Sequence, residues 1–120
     1  MTSRILVVDD DVNFRHLFYQ TLRREGYLVS GAENGVEALR MLQNESYDLA
    51  LIDIRMTPVD GLTVLKIIKK NYARMKVVMI TAYGTPEFES DSFRLGADSY
   101  LRKPLEIQEL KDVIQRTLSS

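Results

Sequence analysis

LALIDIRMTPVDG, Leu49 to Gly61, decides how the rest of this chain is read. Leu49, Leu51 and Ile52 form a short apolar run of strand length that halts at one acid, Asp53. Loop residues follow (Arg55, Thr57, Pro58, Asp60 and Gly61), and the apolar spacing then turns helical at Leu62, Leu65 and Ile68. Asp53 therefore stands where a buried strand ends and a loop begins. In parallel α/β sheets that edge is where ligands bind. A carboxylate there is a candidate nucleophile toward phosphorus, giving an aspartyl phosphate. A turn or helix-capping aspartate is the other reading.

Working outward, the same pattern repeats. Ile5–Val8 is a continuous apolar run, the mark of a strand buried on both faces, and Asp9, Asp10 and Asp11 end it. Phe14, Leu17, Phe18, Thr21 and Leu22 then recur at helical spacing, with Asp11 as N-cap and Gly26 just past the end. Tyr27–Ala32 reads as a weaker, more polar strand at a sheet edge. Val36, Leu39 and Leu42 mark a second helix. The third helix runs from about Leu62 to Asn71, and Lys76–Thr81 is a fourth apolar strand. A fourth helix falls within Glu87 to Leu95, where core spacing is poor. Asp98–Arg102 is a short fifth strand, and Ile107, Leu110, Ile114 and Leu118 form a final amphipathic helix.

Strands alternating with helices predict a doubly wound α/β fold, (βα)5, with a five-stranded parallel sheet. The expected order is the flavodoxin-like 2-1-3-4-5. The chain of 120 residues suits a single domain spanning 1–120. A net charge of -1 gives no field favouring nucleic acid, so direct nucleic-acid binding is not expected. With no cysteine and one histidine, thiol chemistry and a zinc site are excluded. No apolar run approaches the ~20 residues of a membrane span, and the N-terminus lacks a signal-peptide pattern. A cytoplasmic protein with no membrane contact is the expectation.

Parallel strands gather their ends at one rim. Reading off those ends places Asp9, Asp10 and Asp11 with Asp53, Thr81 and Lys103. Clustered carboxylates repel one another, and a hard divalent cation removes the conflict. Mg²⁺, with Mn²⁺ as a substitute, fits an oxygen donor set. Asp10 and Asp53 are the expected direct ligands, Asp9 acts through water, and a backbone carbonyl near Arg55 completes the set. Lys103 supplies a point charge and Thr81 a hydroxyl for phosphoryl oxygens. Taken singly, Lys103 reads as a surface lysine and Thr81 as an ordinary strand residue. Lys103 precedes Pro104, where a cis bond is permitted.

These residues resemble the receiver domain of two-component response regulators, over Arg4 to about Leu118. ILVVDDD resembles the family's acidic pair (Asp9 and Asp10), and LALIDIRMTPVDG resembles its phosphoacceptor loop, with Asp53 as acceptor. ITA resembles its switch-threonine segment, Thr81 and Ala82. GADSYLRKP resembles its closing motif: the switch aromatic Tyr100, then Lys103 and Pro104. The resemblance implies Mg²⁺-dependent phosphoryl transfer to Asp53 from a sensor histidine kinase or phosphotransfer protein. It implies a phosphoacceptor that catalyses its own phosphorylation and dephosphorylation, not a turnover enzyme. Thr81 would move toward the phosphoryl group and Tyr100 would turn inward. The face made by the fourth helix, fifth strand and fifth helix would be remodelled, and it could support a homodimer. An output domain or an effector protein would receive the signal. Arg55 and Tyr83 occupy positions that tune phosphoryl lifetime in the family, and their bulk predicts slow autodephosphorylation. The family usually has Met-Pro adjacent after the acceptor, whereas Thr57 intervenes between Met56 and Pro58.

The rival reading is a haloacid-dehalogenase-type phosphatase with Asp9 as nucleophile, since ILVVDDD offers Asp9-x-Asp11. Against it, Val12 and Asn13 follow where that family wants Gly or Thr. A flavin or nucleotide module would want a Gly-, Ser- or Thr-rich first loop, and three acids stand there instead. A degenerate receiver, used only for contacts, has no support while every matched residue is present.

Overall fold

The computed structural model describes residues 2–56 and 59–120. The element order is β1 (Arg4–Val8), α1 (Val12–Arg24), β2 (Leu28–Ala32), α2 (Gly35–Asn44), β3 (Leu49–Asp53), α3 (Gly61–Asn71), β4 (Lys76–Thr81), α4 (Pro86–Arg94), β5 (Ser99–Arg102) and α5 (Ile107–Leu118). All neighbouring strands are parallel, in the order β2-β1-β3-β4-β5. The flavodoxin-like order expected from the sequence is the order found. Thr57 and Pro58, which bear on the departure from the family's Met-Pro pair, lie outside the described residues.

The continuous apolar runs have a simple cause. Alternate residues of a strand face opposite sides, and here both sides are covered. Leu6, Val8, Ala50, Ile52, Val77 and Met79 pack with Ala38, Leu42, Val64, Leu65 and Ile68 from α2 and α3. Ile5, Val7, Leu49, Leu51, Val78 and Ile80 pack with Phe18, Leu22, Leu110 and Ile114 from α1 and α5. Each fully buried large side chain contributes ~1.5–3 kcal/mol relative to exposure. β2 is an edge strand, as its polarity implied.

Helix starts follow the capping chemistry. The Asp11 carboxylate accepts from Asn13 N–H (2.8 Å) and Phe14 N–H (3.3 Å), and Gly26, past the end of α1, has φ +94°. Asn34, Asp60 and Thr85 cap α2, α3 and α4 in the same way. Three residues assigned to apolar helix faces are exposed: Leu17 (42%), Val36 (52%) and, at the first turn of α5, Ile107 (36%). A helix turns about 100° per residue, so Leu17 and Val36 each fall beside a buried neighbour, Phe18 or Gly35, yet off the stripe facing the sheet. Among the residues of α4 only Ser92 is fully buried, its hydroxyl donating to the Phe88 carbonyl at 2.7 Å. The poor core spacing read there matches a helix that packs lightly.

Candidate functional site at the C-terminal rim of the sheet

The strand termini bring the predicted acids together. Asp9 follows β1, Asp53 ends β3, and Lys103 follows β5. Carboxylate oxygens of Asp9, Asp10 and Asp53 all lie within 4.8 Å of one another. Asp9 is 1% exposed and Asp53 6%, whereas Asp10 is exposed. Lys103 Nζ donates to Asp9 Oδ2 at 2.6 Å and stands 3.5 Å from Asp53 Oδ2. It also sits 4.1 Å from the centre of the Phe14 ring, a cation–π contact that excludes water from one side of the amine. The Lys103–Pro104 bond is cis.

Asp9 is fully occupied by the protein. Its N–H donates to the Ala32 carbonyl (3.2 Å), Oδ1 accepts from Asp11 N–H (2.9 Å), and its carbonyl accepts from Arg15 (2.8 Å). Both of its carboxylate oxygens are thus engaged, which disfavours Asp9 as a nucleophile. Asp53 is held more loosely: Oδ1 accepts from Arg55 N–H at 3.3 Å. Burial, above all, pushes the Asp53 carboxyl up to about 6. Lys103 opposes that rise, Asp9 and Asp10 add to it, and the Arg55 N–H works against it. A cation bound among these oxygens would remove the repulsion, and an all-oxygen donor set suits Mg²⁺.

Thr81 is fully buried at the end of β4, one residue beyond Ile80, the register partner of Asp53. Its Oγ1 accepts from Tyr83 N–H at 3.1 Å, and its carbonyl accepts from Lys103 N–H at 2.8 Å. Those bonds splice the β4 loop to the Lys103 loop. The Arg55 guanidinium lies over the Tyr83 ring at 4.7 Å, beside a cleft of about 710 Å³ that Asp10, Arg55, Tyr83 and Phe88 help to line. Tyr100 is on β5, its ring 6.4 Å from that of Phe93. Among the described residues its hydroxyl is the buried side-chain polar atom without a hydrogen-bond partner.

Three contributors escaped sequence reasoning. A Cβ on Gly61 would stand 2.2 Å from the Asp53 carbonyl oxygen, so only glycine lets α3 start against the Asp53 backbone. A Cβ on Gly84 would stand 2.7 Å from the Tyr100 hydroxyl. Arg15 holds the Asp9 carbonyl. Gly61 and Gly84 were visible as glycines beside the motifs, but what each makes room for comes from a distant element.

Fold and rim together define a class: a flavodoxin-like α/β domain with an acidic, lysine-bearing site at the carboxyl ends of its strands. The chain belongs to the response regulator receiver domain family, whose model matches residues 5–115. It is 35% identical to Sporulation initiation phosphotransferase F of Bacillus subtilis, covering 98% of this chain and 95% of that protein. It spans about a quarter of the length of other curated relatives, among them a DNA-binding transcriptional regulator, NtrC, of Proteus hauseri. A CheY-like receiver domain protein from Methanospirillum hungatei superposes with a TM-score of 0.96 at 35% identity, covering 99% of this chain and 95% of that one. TrrA from Thermotoga maritima, solved in complex with Mg(2+)-BeF, gives 0.88 at 38% identity over 97% and 99% of the two chains. The chain is therefore a receiver domain of two-component signalling systems, and no helix among its described residues is long and apolar enough to cross a membrane.

Proposed function

We propose that residues 1–120 form one receiver domain in which Asp53 accepts a phosphoryl group from a phosphohistidine of a sensor histidine kinase or phosphotransfer protein. An Asp53 oxygen attacks phosphorus, the donor's P–N bond breaks, and its electron pair returns to the imidazole. The product is an acyl phosphate that water later hydrolyses to restore the carboxylate. Asp10 and Asp53 would hold Mg²⁺ directly and Asp9 through water, with the Arg55 carbonyl completing the set. The ion, when bound, supplies the positive charge that offsets carboxylates and phosphoryl oxygens. Support comes from the mutual 4.8 Å approach of the three acids and from the relative complexed with Mg(2+)-BeF.

The observation that carries the reading is the placement of Lys103, a buried amine 3.5 Å from Asp53 and anchored on Asp9. It is positioned to pair with a phosphoryl oxygen once one is present. Thr81 Oγ1 accepts from Tyr83, which leaves its own O–H free to donate to a second phosphoryl oxygen. A phosphoryl group adds about two negative charges and three acceptors beside that hydroxyl. Movement of Thr81 then couples to Tyr100 and remodels the α4–β5–α5 face, through which the domain acts on an output domain or effector and forms a homodimer. The light packing of α4 suits such movement. Nothing in the net charge of -1 favours nucleic acid, so any output on DNA falls to a partner or another domain.

The test is incubation with acetyl phosphate and Mg²⁺, read by intact mass. The chain should gain one phosphoryl group, labile to hydroxylamine. Asp53→Asn should abolish the gain and Asp9→Asn should only weaken it. An unchanged mass, or label that persists in Asp53→Asn, would refute the assignment.

A further inference from the structure

We infer that Arg15 is a positioning residue for the metal site, that it acts through the Asp9–Asp10 peptide, and that Gly31 is the groove its stem requires. The inference rests on the proposed role of Asp10 as a direct ligand. Arg15 Nη1 donates to the Asp9 carbonyl at 2.8 Å. That carbonyl and the Asp10 N–H belong to one rigid planar unit. Holding its oxygen fixes the direction from which the Asp10 side chain leaves the backbone. Asp10 needs such help, because among the described residues no hydrogen bond holds its carboxylate, and it is exposed. Asp9 offers no other free handle: its N–H and both carboxylate oxygens are already bonded.

Gly31 gives independent support from another element. It lies within β2, paired in register with Val7, and its φ is not positive. Its backbone therefore does not need glycine, and glycine in a strand often marks a close approach by another group. The approaching group is Arg15. A Cβ at position 31 would stand 3.3 Å from Arg15 Cδ and 3.4 Å from Cγ. The stem crosses the edge strand at Gly31 and delivers the guanidinium to the acid loop.

A charge role and a positioning role predict opposite signs. A cation beside the acids repels Mg²⁺, so an Arg15 acting by charge alone would weaken metal binding, and Arg15→Met would tighten it. Positioning predicts the reverse. Groups that orient metal ligands are worth roughly tenfold to a hundredfold in affinity. The experiment is calorimetric titration of the whole chain with MgCl₂, for wild type, Arg15→Met and Gly31→Val. Gly31→Val keeps the charge, suits a strand, and displaces the stem. Both variants should bind Mg²⁺ about tenfold more weakly, and both should shift the Asp10 amide resonance in EDTA, before any metal is added. Tighter or unchanged binding in Arg15→Met overturns the inference, as does wild-type binding in a folded Gly31→Val. Arg15→Met carries the test alone should Gly31→Val not fold. A wild-type chain that binds no Mg²⁺ would instead remove the metal site itself.

Discussion

Replacing Asp53 with Asn should stabilise the metal-free protein, by an amount that depends on pH. Asp53 is 6% exposed, and burial first of all, with help from Asp9 and Asp10, pushes its carboxyl up from 3.8 to about 6 despite Lys103. The folded state thus holds this proton more tightly than the unfolded chain does. The stability so gained is complete below pH 3.8 and is lost as pH rises through about 6. Roughly two pKa units at ~1.4 kcal/mol each come to about 3 kcal/mol. Above the window, ionised Asp53 costs the metal-free fold about that much. Asparagine has the same shape and no charge, so it escapes most of the cost. Urea unfolding in EDTA at about pH 7.5 should show Asp53→Asn more stable by ~1–3 kcal/mol, with the gap closing toward about pH 4. Mg²⁺ at a hundredfold over its Kd adds ~2.7 kcal/mol to a protein that binds it. Wild type should therefore recover in Mg²⁺ while Asp53→Asn recovers less. A variant no more stable than wild type at about pH 7.5, or a gain that persists unchanged at about pH 4, would refute the account of this site.

Lys103→Met leaves two buried carboxylates without their amine, and should destabilise the metal-free chain by on the order of 3 kcal/mol in urea unfolding. It should also abolish phosphoryl uptake from acetyl phosphate. Tyr83→Ala removes the ring that stacks on Arg55, and should shorten the lifetime of the Asp53 acyl phosphate several-fold, followed by loss of label after donor removal. For wild type that half-life should be minutes or longer. Gly84→Ala places a Cβ 2.7 Å from the Tyr100 hydroxyl, inside contact distance. It should drive the ring outward, seen as lost ring-current shifts between Tyr100 and Phe93 in NMR spectra.

Strand positions were legible because a sheet covered on both faces leaves no polar alternation. Ile5–Val8 and Lys76–Thr81 could hardly be anything else, and an acid or hydroxyl that halts such a run marks the rim by itself. Helix starts were legible where a side chain caps them, as at Asp11. Leu17 and Val36 were misjudged because i, i+3, i+4 spacing marks a wide stripe, while α1 and α2 each bury a narrower one. What stayed hidden depends on atoms delivered from elsewhere. Gly84 matters only because β5 brings a phenol to it. Arg15 stands in the sequence as one charge on a helix, and only the folded chain shows its stem crossing Gly31 to reach the Asp9 carbonyl.

Asp9, Asp10 and Asp53 are chemically one side chain in three settings, and the settings divide the work. Asp9 is buried with every polar group bonded, so it serves as a framework that anchors Lys103. Asp10 is exposed, and among the described residues no hydrogen bond holds its carboxylate, so it has lone pairs to offer a cation. Asp53 is buried but only loosely held, through long contacts to Arg55 N–H (3.3 Å) and Lys103 Nζ (3.5 Å), so its charge is expensive and its oxygens are weakly engaged. The distances at Lys103 decide whether this division can work. At 2.6 Å from Asp9 and 3.5 Å from Asp53, the amine is spent mainly on the framework acid. Were those distances exchanged, the acceptor oxygen would be tied up in a short ion pair and its lone pair withheld from phosphorus. On the proposed reading, that stand-off leaves Asp53 a lone pair for phosphorus, and it keeps a cation one short movement from the charge a phosphoryl group would bring.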